Sequence, residues 1–489
     1  MNELLLGPIV GGLTSTQANL WGRADGPGRL HAWLGRRPDL SGARLEGKSL
    51  PLREADGFAG VAPVNNLHPD THYHYALTLS DTPPDPSQAP YPEFTTFPPD
   101  GARKSFNFAF GSCFRPVNAD GGQIFNALEA RRRQEHLRFL LLIGDQIYAD
   151  VIHYNGIGKV ACTLDEYRAI YTYTWSRPAF HRLIPNIPAF MTLDDHEVDD
   201  DWHWINSERQ WAHLPPWDQI ERWLHRRPRE ERRISRERVQ NALQAYWEHQ
   251  AMHAPPFILS PRLNSAGQYS LSPDDRGSLA YTFNYGATTF FVLDTRTQRV
   301  RSLQEIAILG PTQWEALEKW LLEVKDTHPV KFLVTSSALL FYMFTDFPAD
   351  RWPGFPKERL RLLNFLADHN IQGVYLITGD LHACHAVYAE LSGSKGQEIP
   401  LWEFCSSAFD QQPNLLAPLM YWRLRGKPVK RQEKKFCLAR LNFGVVRVNL
   451  DDPANPRVKF EVHGEQNEKL AEAGKKGNEH YPNGHADHV

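Results

Sequence analysis

Residues 138–150 read RFLLLIGDQIYAD, in which an apolar run ends abruptly in Gly144 and Asp145. A short apolar run bounded by turn residues is typical of a buried strand. Three other stretches repeat the pattern: FNFAFGSC (106–113), IPAFMTLDDHEVDDDW (187–202) and GVYLITGDLHACH (373–385). Helical patterns alternate with them, such as QIFNALEARRRQEHL (123–137) and ERLRLLNFLADHN (358–370). This alternation predicts an α/β fold with a mixed sheet covered by helices.

A different pattern precedes these runs. From residue 7 to about 97, short alternating segments such as ANLWGRA and RLHAWLG are broken by Gly, Pro and Asp, which predicts an antiparallel β module. The Pro-rich stretch DTPPDPSQAPYP (81–92) places the end of that module near residue 100. We therefore predict one domain over residues 1–100 and a second, larger domain over 105–463.

Two other regions have unusual composition. The Trp- and Arg-rich tract at about 203–254 predicts a helical insertion, which is either a solvated helix packed on the body or a substrate clamp. Residues 464–489 are polar and Gly-rich, so we predict that this tail is disordered.

Bulk composition excludes several classes of function. A formal net charge of -3 provides no basic field for nucleic acid, so no nucleic-acid partner is indicated. The start of the sequence lacks the pattern of a signal peptide, and no run approaches the length of a membrane span, so we expect a cytoplasmic protein. The five cysteines have no CxxC spacing, which argues against a disulfide framework and a structural zinc site.

The clusters that end the four apolar runs carry the chemistry. Loops that leave the carboxyl ends of strands converge on one edge of an α/β sheet. The converging side chains would concentrate negative charge, which requires cations. The sequence therefore predicts a metal centre, with Cys113, Asp145, Tyr148, Asp195, Asp380 and His382 as candidate ligands.

Each motif also has an ordinary structural interpretation. Asp after Gly is common turn chemistry, and the DDHE segment at 194–197 could be a salt-bridged loop. Cys113 could be an inert buried thiol, and Tyr148 a half-buried core aromatic. The repetition of GD after two separate apolar runs, at 144–145 and 379–380, favours the metal interpretation.

The order of FGSC, GDxxY, DDHE and GDxH resembles the PhoD-type alkaline phosphatases, a branch of the binuclear metallophosphoesterases. Lesser features agree: LDTR (293–296), an expected helix at LGPTQWEALEKWL (309–321), RWPGF (351–355) and NFGVV (442–446). The resemblance implies a four-layer α/β/β/α metallophosphoesterase domain, preceded by a small antiparallel β-sandwich domain similar to fibronectin type III modules. It also implies hydrolysis of phosphomonoesters or phosphodiesters at a binuclear or larger centre, with Fe³⁺ and Ca²⁺ as the expected ions.

The same resemblance implies a role for each ligand. Cys113, Tyr148 and Asp380 would bind the trivalent iron, and Asp145 would bridge to the second metal. His382 would complete the shell of that second metal.

Asp195 takes a ligand position that is Asn in the more general metallophosphoesterase signature, and the adjacent His196 takes that of a catalytic histidine. Asp200 and Asp201 precede Trp202 where family members often have Asn, so either could add an oxygen ligand. Arg115 is a candidate phosphate clamp.

Three functions remain open at this point. The first is phosphoester hydrolysis by a metal-activated hydroxide, with a small-molecule phosphate ester as substrate. The second uses the same site on a lipid or polymer diester, and the third is a non-catalytic binding protein with a structural metal site. For Arg296, the sequence favours a structural salt bridge with Asp294 over a role at the site.

Overall fold

The computed structural model describes residues 2–474, except for 118–120, 203–233, 260–261, 264–268, 271–277, 302–305, 344–349 and 424–425. The amino-terminal strands are β1 (Leu4–Gly11), β2 (Ala18–Ala24), β3 (His31–Gly35), β4 (Arg44–Lys48), β5 (Ala59–Val64), β6 (His72–Thr78) and β7 (Glu93–Thr95). They form two antiparallel sheets, with strand orders β1-β2-β5 and β4-β3-β6-β7. The predicted antiparallel strands are confirmed.

Twenty further strands follow in the rest of the described chain. They are β8 (Phe106–Gly111), β9 (Leu140–Ile143), β10 (Ala189–Thr192), β11 (Phe257–Leu259), β12 (Arg262–Leu263), β13 (Tyr269–Ser270), β14 (Ser278–Tyr285), β15 (Thr288–Val292), β16 (Val300–Arg301), β17 (Ile306–Ala307), β18 (Val330–Val334), β19 (Tyr342–Met343), β20 (Val374–Thr378), β21 (Cys384–Ser392), β22 (Glu398–Cys405), β23 (Tyr421–Trp422), β24 (Val429–Leu438), β25 (Phe443–Asn449), β26 (Arg457–His463) and β27 (Lys469–Gly474).

The α-helices that the structure describes are α1 (Ile124–Glu135), α2 (Leu164–Trp175), α3 (Pro178–Leu183), α4 (Arg236–Tyr246), α5 (Pro311–Val324) and α6 (Pro356–Asp368). Helix α4 continues into a π-helical turn at Trp247–Ala251. Short 3₁₀ turns lie at Glu54–Asp56, Pro86–Gln88, Ile184–Asn186 and Trp352–Gly354. The helices expected at 123–137, 309–321 and 358–370 are thus confirmed within a few residues at their ends.

Two large mixed sheets dominate this part of the chain. One has six strands in the order β10-β9-β8-β25-β26-β27, and the other has eight in the order β11-β14-β15-β18-β20-β22-β21-β24. Strands β8, β9 and β10 run parallel, as do β15, β18, β20 and β22. The prediction of mixed α/β structure is confirmed.

Aromatic side chains from the two large sheets pack against each other. The ring of Phe108 on β8 meets those of Phe290 and Phe332 in the eight-stranded sheet at centroid distances of 5.5 and 5.2 Å. Side chains of β8 and β9 that point the other way share a second cluster with α1, α2 and α3, and α5 and α6 share a third with the eight-stranded sheet. Each sheet therefore buries both of its faces.

Two expectations for unusual regions have different outcomes. The prediction of disorder from residue 464 onward is wrong over Lys469–Gly474, which pairs antiparallel with β26 as an edge strand. Backbone pairing stabilises a strand that has few apolar side chains, so composition alone could not predict it.

Residues 475–489 lie outside the described part of the chain, as do 203–233 of the expected helical insertion. The remainder of that insertion is helical through Ala251, as predicted.

Two further findings concern the chain as a whole. No disulfide joins the five cysteines, all of which lie in the described residues. In the described ranges, no helix has both the length and the apolar character that crossing a bilayer requires.

Candidate metal centre

The four apolar runs form β8, β9, β10 and β20, and each strand ends just before its cluster of ligand-type residues. The first three strands belong to the six-stranded sheet and β20 to the eight-stranded sheet. The clusters meet between the two sheets, whereas the sequence argument placed them at the edge of one. Cys113 Sγ lies 3.3 Å from Asp145 Oδ2, and Tyr148 OH lies 3.2 Å from the same oxygen and 3.0 Å from His382 Nε2.

Asp145 is at the centre of this arrangement. Three groups of potential ligands each have their donor atoms within 4.8 Å of one another, and Asp145 belongs to all three. Its partners are Cys113 with His382, Asp195 with His196, and Asp194 with Asp380. A single carboxylate shared by several such groups is placed where it could contact two metal ions.

The backbone at these positions is in a rare conformation. Five of the predicted ligands have a positive φ, a region that non-glycine residues seldom occupy: Cys113 (65°), Asp145 (55°), Asp201 (56°), Asp380 (67°) and His382 (53°). Each such residue costs about 1–3 kcal/mol and persists only where its surroundings hold it. Strained residues of this kind cluster at functional sites.

Two serine hydroxyls hold part of this strained backbone. The Asp380 N–H donates to Ser112 Oγ (3.1 Å), and the His382 N–H donates to Ser407 Oγ (2.9 Å). Both hydroxyls also contact Cys113 Sγ, at 3.3 and 3.1 Å. The loops after β8, β20 and β22 are thereby fixed to one another around the thiol.

Glu197 fixes the loops after β9 and β10. Its buried carboxylate accepts hydrogen bonds from the N–H groups of Asp145 (3.0 Å), Gln146 (2.8 Å) and Asp194 (3.1 Å). It also accepts one from Gln250 Nε2 (3.0 Å), which lies in the π-helical turn. The last residue of the DDHE motif therefore positions candidate ligands through their backbone.

The carboxyl groups of the site are buried and close together. Burial raises the pKa of Asp145 well above its usual range, and neighbouring carboxylates add to this effect. Burial likewise raises the pKa of Asp194 well above its usual range and that of Asp380 to about 6. Asp194 Oδ2 is buried and has no hydrogen-bond partner among the described residues. Such a set of acceptors fits bound cations, which remove the repulsion.

The other donors fit the same interpretation. Burial, followed by the charge of Asp145, raises the pKa values of Cys113 and Tyr148 well above their usual ranges, so both need a cation to ionise. Burial lowers the pKa of His382 to about 3. Its imidazole is therefore neutral, which is the form that binds a metal.

The two aspartates before Trp202 differ in their surroundings. Asp201 lies in a further group with Asp195 and Asp350, whose donor atoms are within 4.8 Å of one another. Asp200 belongs to none of the groups found among the described residues, and its Oδ1 lies 3.8 Å from His196 Nε2. Of the two, Asp201 is the one placed beside other potential ligands.

Arg296 has different partners from those that the sequence suggested. Its guanidinium binds Asp194 Oδ1 (2.5 Å) and both oxygens of Asp350 (2.7 Å each). Asp294 accepts instead the N–H groups of Arg296 (3.1 Å) and Thr297 (2.9 Å). The prediction of a side-chain salt bridge between Arg296 and Asp294 is wrong, because the Asp294 carboxylate stabilises the backbone of its own loop. The Arg296 guanidinium instead balances the charge of the acidic site.

His196 and Arg115 lie beside the predicted ligands. His196 Nδ1 is 2.8 Å from Asp150 Oδ1, and its ring packs on that of Tyr148 at 4.2 Å between centroids. Arg115 Nη2 donates to Gln411 Oε1 (2.8 Å), and its buried Nε has no hydrogen-bond partner in the described part of the chain. These positions are compatible with a catalytic role for His196 and a phosphate-binding role for Arg115.

Sequence reasoning missed several residues at the site: Asp150, Asp194, Asp350, Ser407 and Gln411. Ser407 and Gln411 follow β22 in the stretch LWEFCSSAFDQQ, which repeats the signal of an apolar run followed by polar residues. Asp194 is part of the DDHE segment, but the sequence did not single it out as a ligand. Asp350 directly precedes the RWPGF motif and follows no predicted strand, and its long-range contact with Arg296 identifies it.

Comparison with known proteins agrees with this geometry. Alkaline phosphatase D from Bacillus subtilis (strain 168) is 24% identical over 356 residues, which cover 66% of this chain. The match spans only about half, 53%, of that relative's length.

Two solved structures share the fold. A structure described as that of PhoD aligns over 97% of this chain and 93% of its own, with a TM-score of 0.68 at 19% identity. The purple acid phosphatase PPD1 from yellow lupin (Lupinus luteus) seeds aligns over 95% and 73%, with a TM-score of 0.59 at 11% identity.

The profile of the PhoD-like phosphatases matches residues 108–451, which contain all of the strand-end clusters described above. This range is more than half of the chain. The chain therefore belongs to the PhoD-like phosphatase family.

Proposed function

We propose that this chain hydrolyses phosphate esters at a metal centre built around Asp145. The observation that carries the proposal is that Asp145 belongs to three overlapping groups of potential ligand atoms, most of them buried. Membership of a phosphatase family supports it. Metal ions bound there would supply Lewis acidity toward phosphoryl oxygens and a nucleophile generated from water near neutral pH.

The donor set supports an allocation of ligands. Cys113 and Tyr148 provide a thiolate and a phenolate, which suit a trivalent ion such as Fe³⁺ better than Mg²⁺ or Ca²⁺ alone. Asp145 would bridge, and Asp380 and His382 would complete the two shells, with Ca²⁺ as the expected second ion. Asp195 and Asp201 add oxygen donors.

Residues beside the ligands would handle the substrate. Arg115 would bind a phosphoryl oxygen, since its Nε has no hydrogen-bond partner among the described residues. His196 is oriented through Nδ1 by Asp150, which leaves Nε2 to donate a proton to the leaving oxygen. Burial opposes protonation of the His196 imidazole. The nearby carboxylates, Asp150 first, outweigh burial and raise the pKa of His196 well above its usual value. The hydrogen bond to Asp150 favours the protonated imidazole, which could then supply the proton.

The proposal extends to the architecture. The clusters on the outer faces of the two large sheets support a four-layer α/β/β/α domain over residues 105–463. The two antiparallel sheets before it support a small β-sandwich domain over residues 1–100.

A panel of phosphate esters tests the function. The purified, metal-loaded protein is assayed on a mono-aryl and a bis-aryl phosphate, then after chelation, and again after metals are restored. We expect hydrolysis of at least one ester that is lost on chelation and regained with metal. Absence of turnover on every ester at full metal occupancy would favour the binding-protein alternative instead.

A further inference from the structure

A second group of metal-ligand side chains lies on the four-stranded amino-terminal sheet. His72 and His74 are two positions apart on β6 and therefore point to the same face. Glu93 on the neighbouring strand β7 is the register partner of His74. One donor atom from each of the three side chains lies within 4.8 Å of the others. We call this group the His72–His74–Glu93 cluster.

Contacts outside the cluster orient both imidazoles. His74 Nδ1 lies 3.3 Å from the carbonyl oxygen of Tyr91. Because a carbonyl oxygen only accepts, this contact places the proton of neutral His74 on Nδ1 and leaves a lone pair on Nε2. His72 Nδ1 lies 3.3 Å from Thr95 Oγ1, and His72 Nε2 lies 3.3 Å from Glu93 Oε2. A histidine tied to an oxygen through one nitrogen and free to bind through the other is the usual arrangement at metal sites.

The carboxylate is held in a similar way. Arg132 Nη1 on helix α1 donates to Glu93 Oε1 (3.0 Å), while Oε2 faces His72. Arg132 also forms a two-point contact with Glu129, at 2.6 and 3.1 Å, and Glu129 pairs with Arg133 as well. One oxygen of Glu93 is thus fixed from outside, and the other remains available to a ligand in the cluster.

Space for a further ligand adjoins the cluster. His72 and Glu93 line a cavity of about 210 Å³ between the amino-terminal sheet and helix α1. Arg133 and Arg138 also line it, and they form ion pairs with Glu129 and Asp70 respectively. Water or a small anion could enter this cavity next to His72 and Glu93.

We propose that the His72–His74–Glu93 cluster binds one divalent ion of the zinc class, with water or a small anion as the fourth ligand. Two imidazoles and one carboxylate with an open position form a donor set that zinc accepts in proteins. Mg²⁺ and Ca²⁺ prefer all-oxygen sites, so the cluster selects against them.

The ion would add side-chain links between parts of the chain that already contact one another, since β6 and β7 pair through their backbones. It links β7, at the edge of its sheet, to β6. Through Glu93 and Arg132 it also reinforces the contact between the amino-terminal sheet and helix α1. The site is separate from the Asp145 centre and does not depend on the proposed hydrolytic function.

Zinc binding to the full chain tests the proposal. The protein is first loaded with its catalytic metals, and zinc uptake is then measured by equilibrium dialysis for the parent, His72→Gln and Glu93→Gln. We expect each variant to bind one zinc ion fewer per chain than the parent, or to bind it at least about tenfold more weakly. The exposed His181 on α3 provides a matched control, and His181→Gln should bind as the parent does.

A spectroscopic readout guards against loss of folding in the variants. Co²⁺ replaces Zn²⁺ in sites of this type, and its visible d–d bands report a four-coordinate geometry. The difference spectrum of the parent minus His72→Gln should show these bands. Without added metal, the two proteins should unfold at the same temperature. Equal zinc uptake by the parent, His72→Gln and Glu93→Gln would overturn the proposal and leave an ordinary surface ion pair between His72 and Glu93.

Discussion

Glu197→Gln probes the backbone support of the metal centre. The carboxylate accepts four hydrogen bonds in the folded protein. Oε2 accepts from the N–H groups of Asp145 and Asp194, and Oε1 accepts from the Gln146 N–H and Gln250 Nε2. A glutamine keeps one acceptor oxygen and replaces the other with an NH₂ group. Two buried donors would then face a third donor.

The magnitude follows from those two donors. A buried donor without an acceptor costs about 1–3 kcal/mol. The unfolding free energy of Glu197→Gln should therefore fall by about 2–6 kcal/mol. Because either orientation of the amide removes a backbone anchor at Asp145 or at the adjacent Gln146, metal affinity should fall by about 10–100-fold, as it does when outer-shell partners of a metal are removed.

Glu403→Gln is the matched control. Glu403 is also fully buried and accepts three backbone N–H groups, from Leu339 to Phe341, at 2.6–2.9 Å, and none of its partners is a predicted metal ligand. Urea unfolding and chelator competition are measured for both variants. We expect both to lose stability and only Glu197→Gln to lose metal affinity. Equal metal affinity of the parent and Glu197→Gln would refute the positioning role.

Three further changes have defined outcomes. Arg296→Ala removes the charge partner of the buried Asp194, while Asp350 keeps Arg299, and should lower the urea-unfolding free energy by about 3–5 kcal/mol. Arg361→Ala, in an exposed pair, should cost no more than about 1 kcal/mol. Equal losses would contradict the role of burial. A chain ending at Gly464 lacks β27 and should have a lower Tm than one ending at Gly474; equal Tm values would mean that β27 contributes nothing. Tyr148→Phe should keep the fold but shift or weaken the visible band of the iron-loaded protein, and an unchanged band excludes a phenolate ligand.

Local sequence predicted much of the fold and the strand-end positions of the candidate ligands. Strands and helices have short-range signals, since apolar runs and helical periodicity are visible within about a dozen residues. The candidate metal ligands lie directly after strands, where the backbone must turn. Asp145 and Asp380 share this setting, each following a glycine at the end of a strand. The position of these residues could therefore be predicted before their contacts were known.

Contacts that depend on distant parts of the chain could not be predicted in this way. Arg296 has Asp294 two positions away, but the fold brings Asp194 and Asp350 to its guanidinium. Lys469–Gly474 belongs to a polar, Gly-rich stretch that is typical of a disordered tail. Its strand structure comes from pairing with β26. In both cases the deciding interaction is tertiary.

The most direct test of the central claim is the turnover of Asp145→Asn, measured with metal content on the same samples. The account predicts that hydrolysis of every phosphate ester falls by far more than tenfold, with bound metal reduced and with the fold retained because repulsion among the carboxylates is relaxed. Parent-like folding can be checked by circular dichroism. Activity within about tenfold of the parent, equivalent to about 1.4 kcal/mol in the barrier, would contradict a metal centre built around Asp145.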